Sequence, residues 1–145
     1  MTKTVYVLNG SDMGLLGSHE PQTRACLADA EPLCRRVAAR FGLGIECRHS
    51  GHDGTLIDRI HEAGGNAACG IVINPAGDPT SSAAILEAIR AVPIPVVEVH
   101  ISNIDAQAHF SISRGARAVI CGFGTEGYAL AIVGLATMVG AGVNS

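Results

Sequence analysis

Short apolar runs alternate with stretches of helical periodicity along the whole chain, and that alternation decides what it can fold into. Thr4–Leu8, Cys69–Ile73 and Val96–Val99 are runs dominated by β-branched, aliphatic and aromatic residues, each followed by polar or turn-forming residues. A strand that lacks polar alternate positions must be covered on both faces. With helices between such strands, the solution is a parallel sheet wrapped by helices. Leu43–Arg48 and Ala118–Cys121 supply two further strands. The pattern predicts an α/β, flavodoxin-like architecture: a five-stranded parallel sheet in the order 2-1-3-4-5, with helices on both faces. A chain of 145 residues with no repeat, low-complexity segment or linker reads as one domain, residues 1–145.

The helices are bounded by ordinary stop signals. The first carries Leu33, Val37, Ala38 and Phe41 and ends near Arg40 or Phe41, with Gly42 as the residue that stops it. Pro32 is best tolerated in a first turn, which favours a start near Asp29; a start near Leu27 would put the proline deeper and kink the helix. The second helix carries Leu56, Ile57, Ile60 and Ala63 and is expected to stop at Gly64-Gly65. A third runs from a cap at Thr80 or Ser81 to about Ala91, with Ala84, Ile85, Ala88 and Ile89 on its apolar side. A fourth covers about Glu126 to Met138, after the turn Gly122-Phe123-Gly124.

In an open parallel sheet, ligands bind beyond the carboxyl ends of the strands. Strands 1, 3 and 4 are adjacent in the expected order. Their carboxyl ends carry Asn9 and Asp12, then Asn74 and Asp78, then His100 and Ser102. Three polar clusters are therefore expected to converge. The sharpest is Ile94–Asn103, where Val96, Val97 and Val99 give way to His100, Ser102 and Asn103. Ser102 or Asn103 can cap a short helix from Ile104, which would set free backbone N–H groups, suited to an anion, beside a titratable imidazole. Glu98 lies two residues before His100 and shares its strand face, so it can orient the ring or merely satisfy it. Asp12 and Asp78 each read as a turn residue or as a site carboxylate.

Composition excludes several classes. Apolar residues make up 48% and charged residues 16%, too apolar for a disordered chain. A net charge of −3 without a basic cluster argues against nucleic acid as a partner. No apolar run reaches the length of a membrane span, and Met-Thr-Lys-Thr leads straight into a strand, so no membrane partner or signal peptide is expected and the location expected is cytoplasmic. The five cysteines are scattered without a C-x-x-C pair and read as small buried hydrophobes in a reducing compartment. His49 and His52 bracket a loop, but no third ligand stands at metal spacing, and no metal is expected.

The segments Leu8-Asn9-Gly10, Leu15-Leu16-Gly17, Glu20-Pro21, Leu56-Ile57-Asp58-Arg59-Ile60-His61, Ile73-Asn74-Pro75, Glu98-Val99-His100-Ile101-Ser102-Asn103 and Ile120-Cys121-Gly122-Phe123-Gly124 resemble type II 3-dehydroquinate dehydratase, in that family's order and over nearly the whole chain. The resemblance implies a flavodoxin-like subunit assembled into a dodecamer of trimers, with no metal or cofactor. It implies removal of water from 3-dehydroquinate through an enolate. A tyrosine activated by an arginine takes a proton, and a histidine protonates the leaving hydroxyl. Carried over, His100 is that acid and Glu98 orients it. Ile101 and Ser102 hold the substrate carboxylate, Asn74 contacts a substrate hydroxyl, and Asn9 belongs to the binding set. Glu87 stands where the family has an Asp reaching a neighbouring active site, although on its own it reads as an exposed helical charge.

The departures fall mainly in the loops. His19 replaces the arginine of Leu-Gly-x-Arg-Glu-Pro, and the loop Gln22–Cys26 is short and lacks the family's tyrosine. Arg24 is the only cation in that loop and a candidate to pair a substrate anion; His19 is a candidate ligand contact. The chain's two tyrosines are Tyr6, in the first strand, and Tyr128, in the last helix. Asp12 replaces the second asparagine of the family's Asn-Gly-Pro-Asn. Asp78-Pro79-Thr80 replaces Tyr-Thr-His, leaving Asp78 and Thr80 as candidate contacts. After Phe110 the chain is shorter, and Arg114 is the nearest counterpart of an expected arginine. An acid and a carboxylate cradle without the usual base point to a dehydroquinase-like enzyme with a different small-carboxylate substrate. Its reaction would be a dehydration or a related acid–base or hydrolytic step, with Asp12 or Asp78 as base or water-positioning group. The alternatives are an authentic divergent 3-dehydroquinate dehydratase and a non-catalytic carboxylate-binding homologue. A homo-oligomer, trimer or dodecamer, is expected in each case, and no cofactor.

Overall fold

The computed structural model describes residues 2–10, 21–49, 53–75, 82–101 and 115–142, with backbone alone for 21–28, 53 and 82. The elements in chain order are β1 (Thr4–Asn9), α1 (Pro21–Ala39), β2 (Gly44–His49), α2 (Asp53–Gly65), β3 (Gly70–Asn74), α3 (Ser82–Ala91), β4 (Val96–His100), β5 (Ala118–Cys121) and α4 (Glu126–Met138). The strands form one parallel sheet in the order β2-β1-β3-β4-β5, as the alternation of runs predicts. Every residue of the central strands β3 and β4 is buried.

Side-chain parity divides the core into two clusters, one on each face of the sheet. Val5, Val7, Val72, Val97 and Val99 pack with Ala30, Cys34 and Ala38 of α1 and with Tyr128, Ala131, Ile132, Leu135 and Ala136 of α4. Tyr6, Leu8, Ile71, Ile73 and Val96 pack with Leu56, Ile60 and Ala63 of α2 and Ile85, Ala88 and Ile89 of α3. Each cluster excludes water from one side of the same strands, and that burial is the main favourable term in holding helices to sheet.

Helix α1 starts at Pro21, not near Asp29, and Pro32 lies inside it. Pro21 is itself suited to a first helical position, because its fixed φ matches the helix and its missing N–H has no partner to lose there. Gln22–Cys26 is therefore the opening of a helix, not a loop, and Arg24 lies on that helix. Pro32 still forfeits one bond to the carbonyl of residue 28, at a cost of about 3 kcal/mol. Ala30, Cys34 and Ala38, buried on either side of it, hold both halves of the helix to the core. Gly42 does stop the chain as expected, with φ at 68°.

The glycine pair of α2 acts differently from the expectation. The helix runs through Gly64 and Gly65, and the left-handed residue of its exit is Ala67, at φ 55°. The Ala68 N–H reaches back to the Ala63 carbonyl at 3.0 Å and closes the turn. Gly64 is needed for space: a Cβ there would lie 2.9 Å from Val92 Cγ1.

Candidate active site at the carboxyl edge

Strand β1 ends at Asn9 and strand β3 at Asn74, and the parallel register sets the two side by side. Beyond them the backbones nearly touch. The Gly10 N–H donates to the Asn74 carbonyl at 2.7 Å. A Cβ on Gly10 would lie 2.5 Å from the Pro75 carbonyl oxygen, so only glycine fits this crossing.

Asn9 continues the parity of Val5 and Val7, and Asn74 that of Val72, so both carboxamides lie on the α1/α4 side. There they meet Tyr128, which comes from the first turn of α4 and is 0% exposed. The Tyr128 hydroxyl donates to Asn9 Oδ1 at 2.6 Å and accepts from Asn74 Nδ2 at 3.2 Å. Burial pushes the Tyr128 hydroxyl far above its ordinary range, and the bond from Asn74 opposes this only in part. At neutral pH it is a fixed neutral group.

His100 and Glu98 alternate with Val97 and Val99 and therefore project to the opposite side of β4. Glu98 is 0% exposed and His100 5%. Imidazole Nε2 lies 3.0 Å from Glu98 Oε1, at charge-pair distance but without the alignment of a hydrogen bond. Among the described residues Glu98 Oε2 has no hydrogen-bond donor. A buried carboxylate with so little support is costly, which is the usual mark of a group kept for its chemistry. The pair is held at the exit of β4 by the turn after β5: the Gly122 N–H bonds the His100 carbonyl at 3.3 Å and the Gly124 N–H bonds the Ile101 carbonyl at 3.0 Å.

The three clusters thus share one edge, but Asn9 and Asn74 lie on one face of the sheet and Glu98 and His100 on the other. Only a ligand lying astride the strand ends can touch both sets. Ile101, half-buried, directly follows His100. Glu87 is exposed on α3 and stands apart from this cluster. The side chain of Arg24, and Asp12, His19, Asp78, Thr80 and Ser102, lie outside the described residues, as do Arg114 and the expected helix from Ile104.

Tyr128 is the member of the edge that reading the sequence for chemistry passes over. The signal was present: a tyrosine hydroxyl in a largely apolar helix, placed in the first turn, the end of the helix that abuts the carboxyl edge. The expectation that the cysteines are small buried hydrophobes holds for one of the four described. Cys34 is buried, while Cys47, Cys69 and Cys121 are partly buried, and these four are unbridged. Among the described residues no group of three His, Cys, Asp or Glu side chains could hold a metal ion, and no helix is long and apolar enough to cross a membrane.

Residues 3–136 match the family model Dehydroquinase class II. The chain is 50% identical over 146 residues to a 3-dehydroquinate dehydratase of Rhodopseudomonas palustris (strain BisA53), covering 97% of each. It is 49% identical to one of Acidovorax sp. (strain JS42), covering 94% of this chain and 99% of that protein. Among solved structures, the type II dehydroquinase of Propionibacterium acnes superposes with a TM-score of 0.78 at 34% identity, covering 94% of this chain and 98% of that one. Identity of this extent overturns the expectation of a changed substrate. The departures noted in the loops are outweighed by a likeness that covers 97% of the chain.

Proposed function

The chain belongs to the class II dehydroquinase family, and on that premise we propose that it is a 3-dehydroquinate dehydratase, a lyase that removes water from its substrate to leave a conjugated enone. The observation that carries the reading is the buried Glu98–His100 pair, 3.0 Å apart at the end of β4. Loss of a hydroxide is slow unless the departing oxygen is protonated, and an imidazole is suited to give that proton near neutral pH. In this reading His100 is the general acid. Glu98 fixes the plane of the ring, so that the proton-bearing nitrogen faces the leaving oxygen.

Neither tyrosine of the chain fits the role of base. Tyr6 accepts from Asn66 Nδ2 at 2.9 Å, beside the end of α2. Tyr128 is buried with its proton committed to Asn9. On this reading the protein is a divergent member without the family's loop tyrosine, and we assign proton abstraction to Asp12, three residues beyond the end of β1. A carboxylate needs no activating arginine to be ionised at neutral pH. Asn74 would hold a substrate hydroxyl, and the backbone at Ile101 and Ser102 the substrate carboxylate. His19, Arg24, Asp78 and Thr80 would complete recognition. Glu87, exposed on α3, would act in the site of a neighbouring subunit of a homo-oligomer.

The test is a direct assay of purified protein with 3-dehydroquinate, following the enone by its ultraviolet absorbance. Turnover by the natural protein, with kcat reduced roughly 10²–10⁴-fold in His100→Ala and in Asp12→Asn, is the expected result. A folded protein with no turnover refutes the reading. Full activity in Asp12→Asn refutes the assignment of the base alone.

A further inference from the structure

We infer that Tyr128 is a positioning residue for this reaction: its hydroxyl fixes which way the Asn74 carboxamide faces, and so which of its atoms is turned toward substrate. The inference rests on the reading of the chain as a dehydroquinase that engages substrate through Asn74.

A tyrosine hydroxyl has one proton. Here that proton goes to Asn9 Oδ1, at 2.6 Å. The hydroxyl then offers Asn74 only lone pairs, and Asn74 meets it with Nδ2, at 3.2 Å. A flipped Asn74 amide would set two oxygens face to face with no proton between them. In this arrangement Asn74 Oδ1 is directed away from Tyr128. Neutrality makes the lock durable, because burial keeps the Tyr128 proton in place far into the alkaline range.

Tyr128 is wholly enclosed, and its ring already fills the α1/α4 cluster. A phenylalanine would occupy the same volume, so Tyr128→Phe subtracts only the atom that sets the amide. Asn74 ends β3 at the carboxyl edge, whereas Tyr128 is 0% exposed and bonded to Asn9 and Asn74. It acts through Asn74 without touching substrate.

The decisive experiment is a double-mutant cycle with 3-dehydroquinate. In the natural protein, Tyr128→Phe should lower kcat/KM by roughly 10–100-fold, a coupling of the size contacting residues show. In an Asn74→Ala background the same change should cost less than about 3-fold, because the amide it orients is gone. Equal losses in both backgrounds would mean that Tyr128 supports only the fold, and would overturn the inference. A second measurement stands clear of activity. In 15N-resolved NMR of the natural protein and Tyr128→Phe, the Asn74 side-chain amide pair should shift or broaden while that of Asn66, held on the Tyr6 hydroxyl, stays. An unmoved Asn74 pair likewise overturns it. If the natural protein fails to turn over 3-dehydroquinate, the proposed function falls, and the NMR comparison still decides the orienting role.

Discussion

The two faces of the sheet edge bury polar groups in opposite ways. On the α1/α4 side, Tyr128, Asn9 and Asn74 form a neutral triplet in which the tyrosine hydroxyl is used both as donor and as acceptor. On the other side, Glu98 and His100 are ionisable, equally deep, and joined by one unaligned contact at 3.0 Å. A satisfied neutral network gains rigidity at little electrostatic cost, whereas an under-supported carboxylate is a standing expense of the fold. In the proposed reaction this contrast would divide the labour, one face setting geometry and the other moving a proton.

Substitutions can break that contrast. The largest effect is expected at His100: His100→Ala should remove roughly 10²–10⁴-fold of turnover. The Asn9 and Asn74 side-chain amide resonances should stay in place, which NMR of the variant would check. A rearranged triplet would show that the faces are not separate.

The neutral face has its own limit, in alkali. Burial pushes the Cys34 thiol, beneath Tyr128 in the same cluster, up to about 12 from an ordinary value of 9.0. Tyr128 is displaced in the same direction. Both groups must stay protonated in the folded state, while the unfolded chain releases those protons earlier. Their contribution is therefore complete below about pH 9 and is lost as pH rises towards 12. For Cys34 the loss is on the order of 4 kcal/mol. Urea titrations from pH 8 upward should show the decline, and Cys34→Ala should flatten it. A decline of unchanged slope would place the alkaline limit elsewhere.

Gly10→Ala addresses the crossing that both faces depend on. With a Cβ 2.5 Å from a carbonyl oxygen, β1 and β3 must part, at about 1–3 kcal/mol. Thermal unfolding should fall accordingly, and kcat with it. Gly64→Ala, at the other end of the α2/α3 side, is the control. Helix propensity gains about 1 kcal/mol and the 2.9 Å approach to Val92 Cγ1 offsets it, so a net change within about 1 kcal/mol and unaltered kcat are expected.

Much of this was open to a reader of the sequence. Continuous apolar strands and intervening helices led to the correct strand order, because burial on two faces leaves few alternatives. The spacing of Glu98 and His100 puts them on one strand face, and the structure brings them to 3.0 Å. The helix start at Pro21 is hard to read because proline marks loops and first turns alike. The Gly64-Gly65 pair is ambiguous because a glycine required for packing looks the same as one required for a turn. The division of the edge between two faces was countable from parity, since Asn9 keeps step with Val7 and His100 alternates with Val99. Tyr128 was harder. Its importance lies in contacts 119 and 54 residues away in sequence, which no local pattern encodes. The changed-substrate expectation fails for a related reason: departures from a short motif are conspicuous, and agreement spread over a whole chain is not.

Those long separations also govern the order in which the edge is built. Asn9 leaves the ribosome early and Tyr128 late, since chains emerge from the N-terminus. Until α4 has docked, neither asparagine has the hydroxyl that aligns it, and a chain arrested before Tyr128 holds strands without a finished rim. The last helix thus works as a completion mark. On the proposed reading, dehydratase competence would arrive only once α4 has been made and has docked.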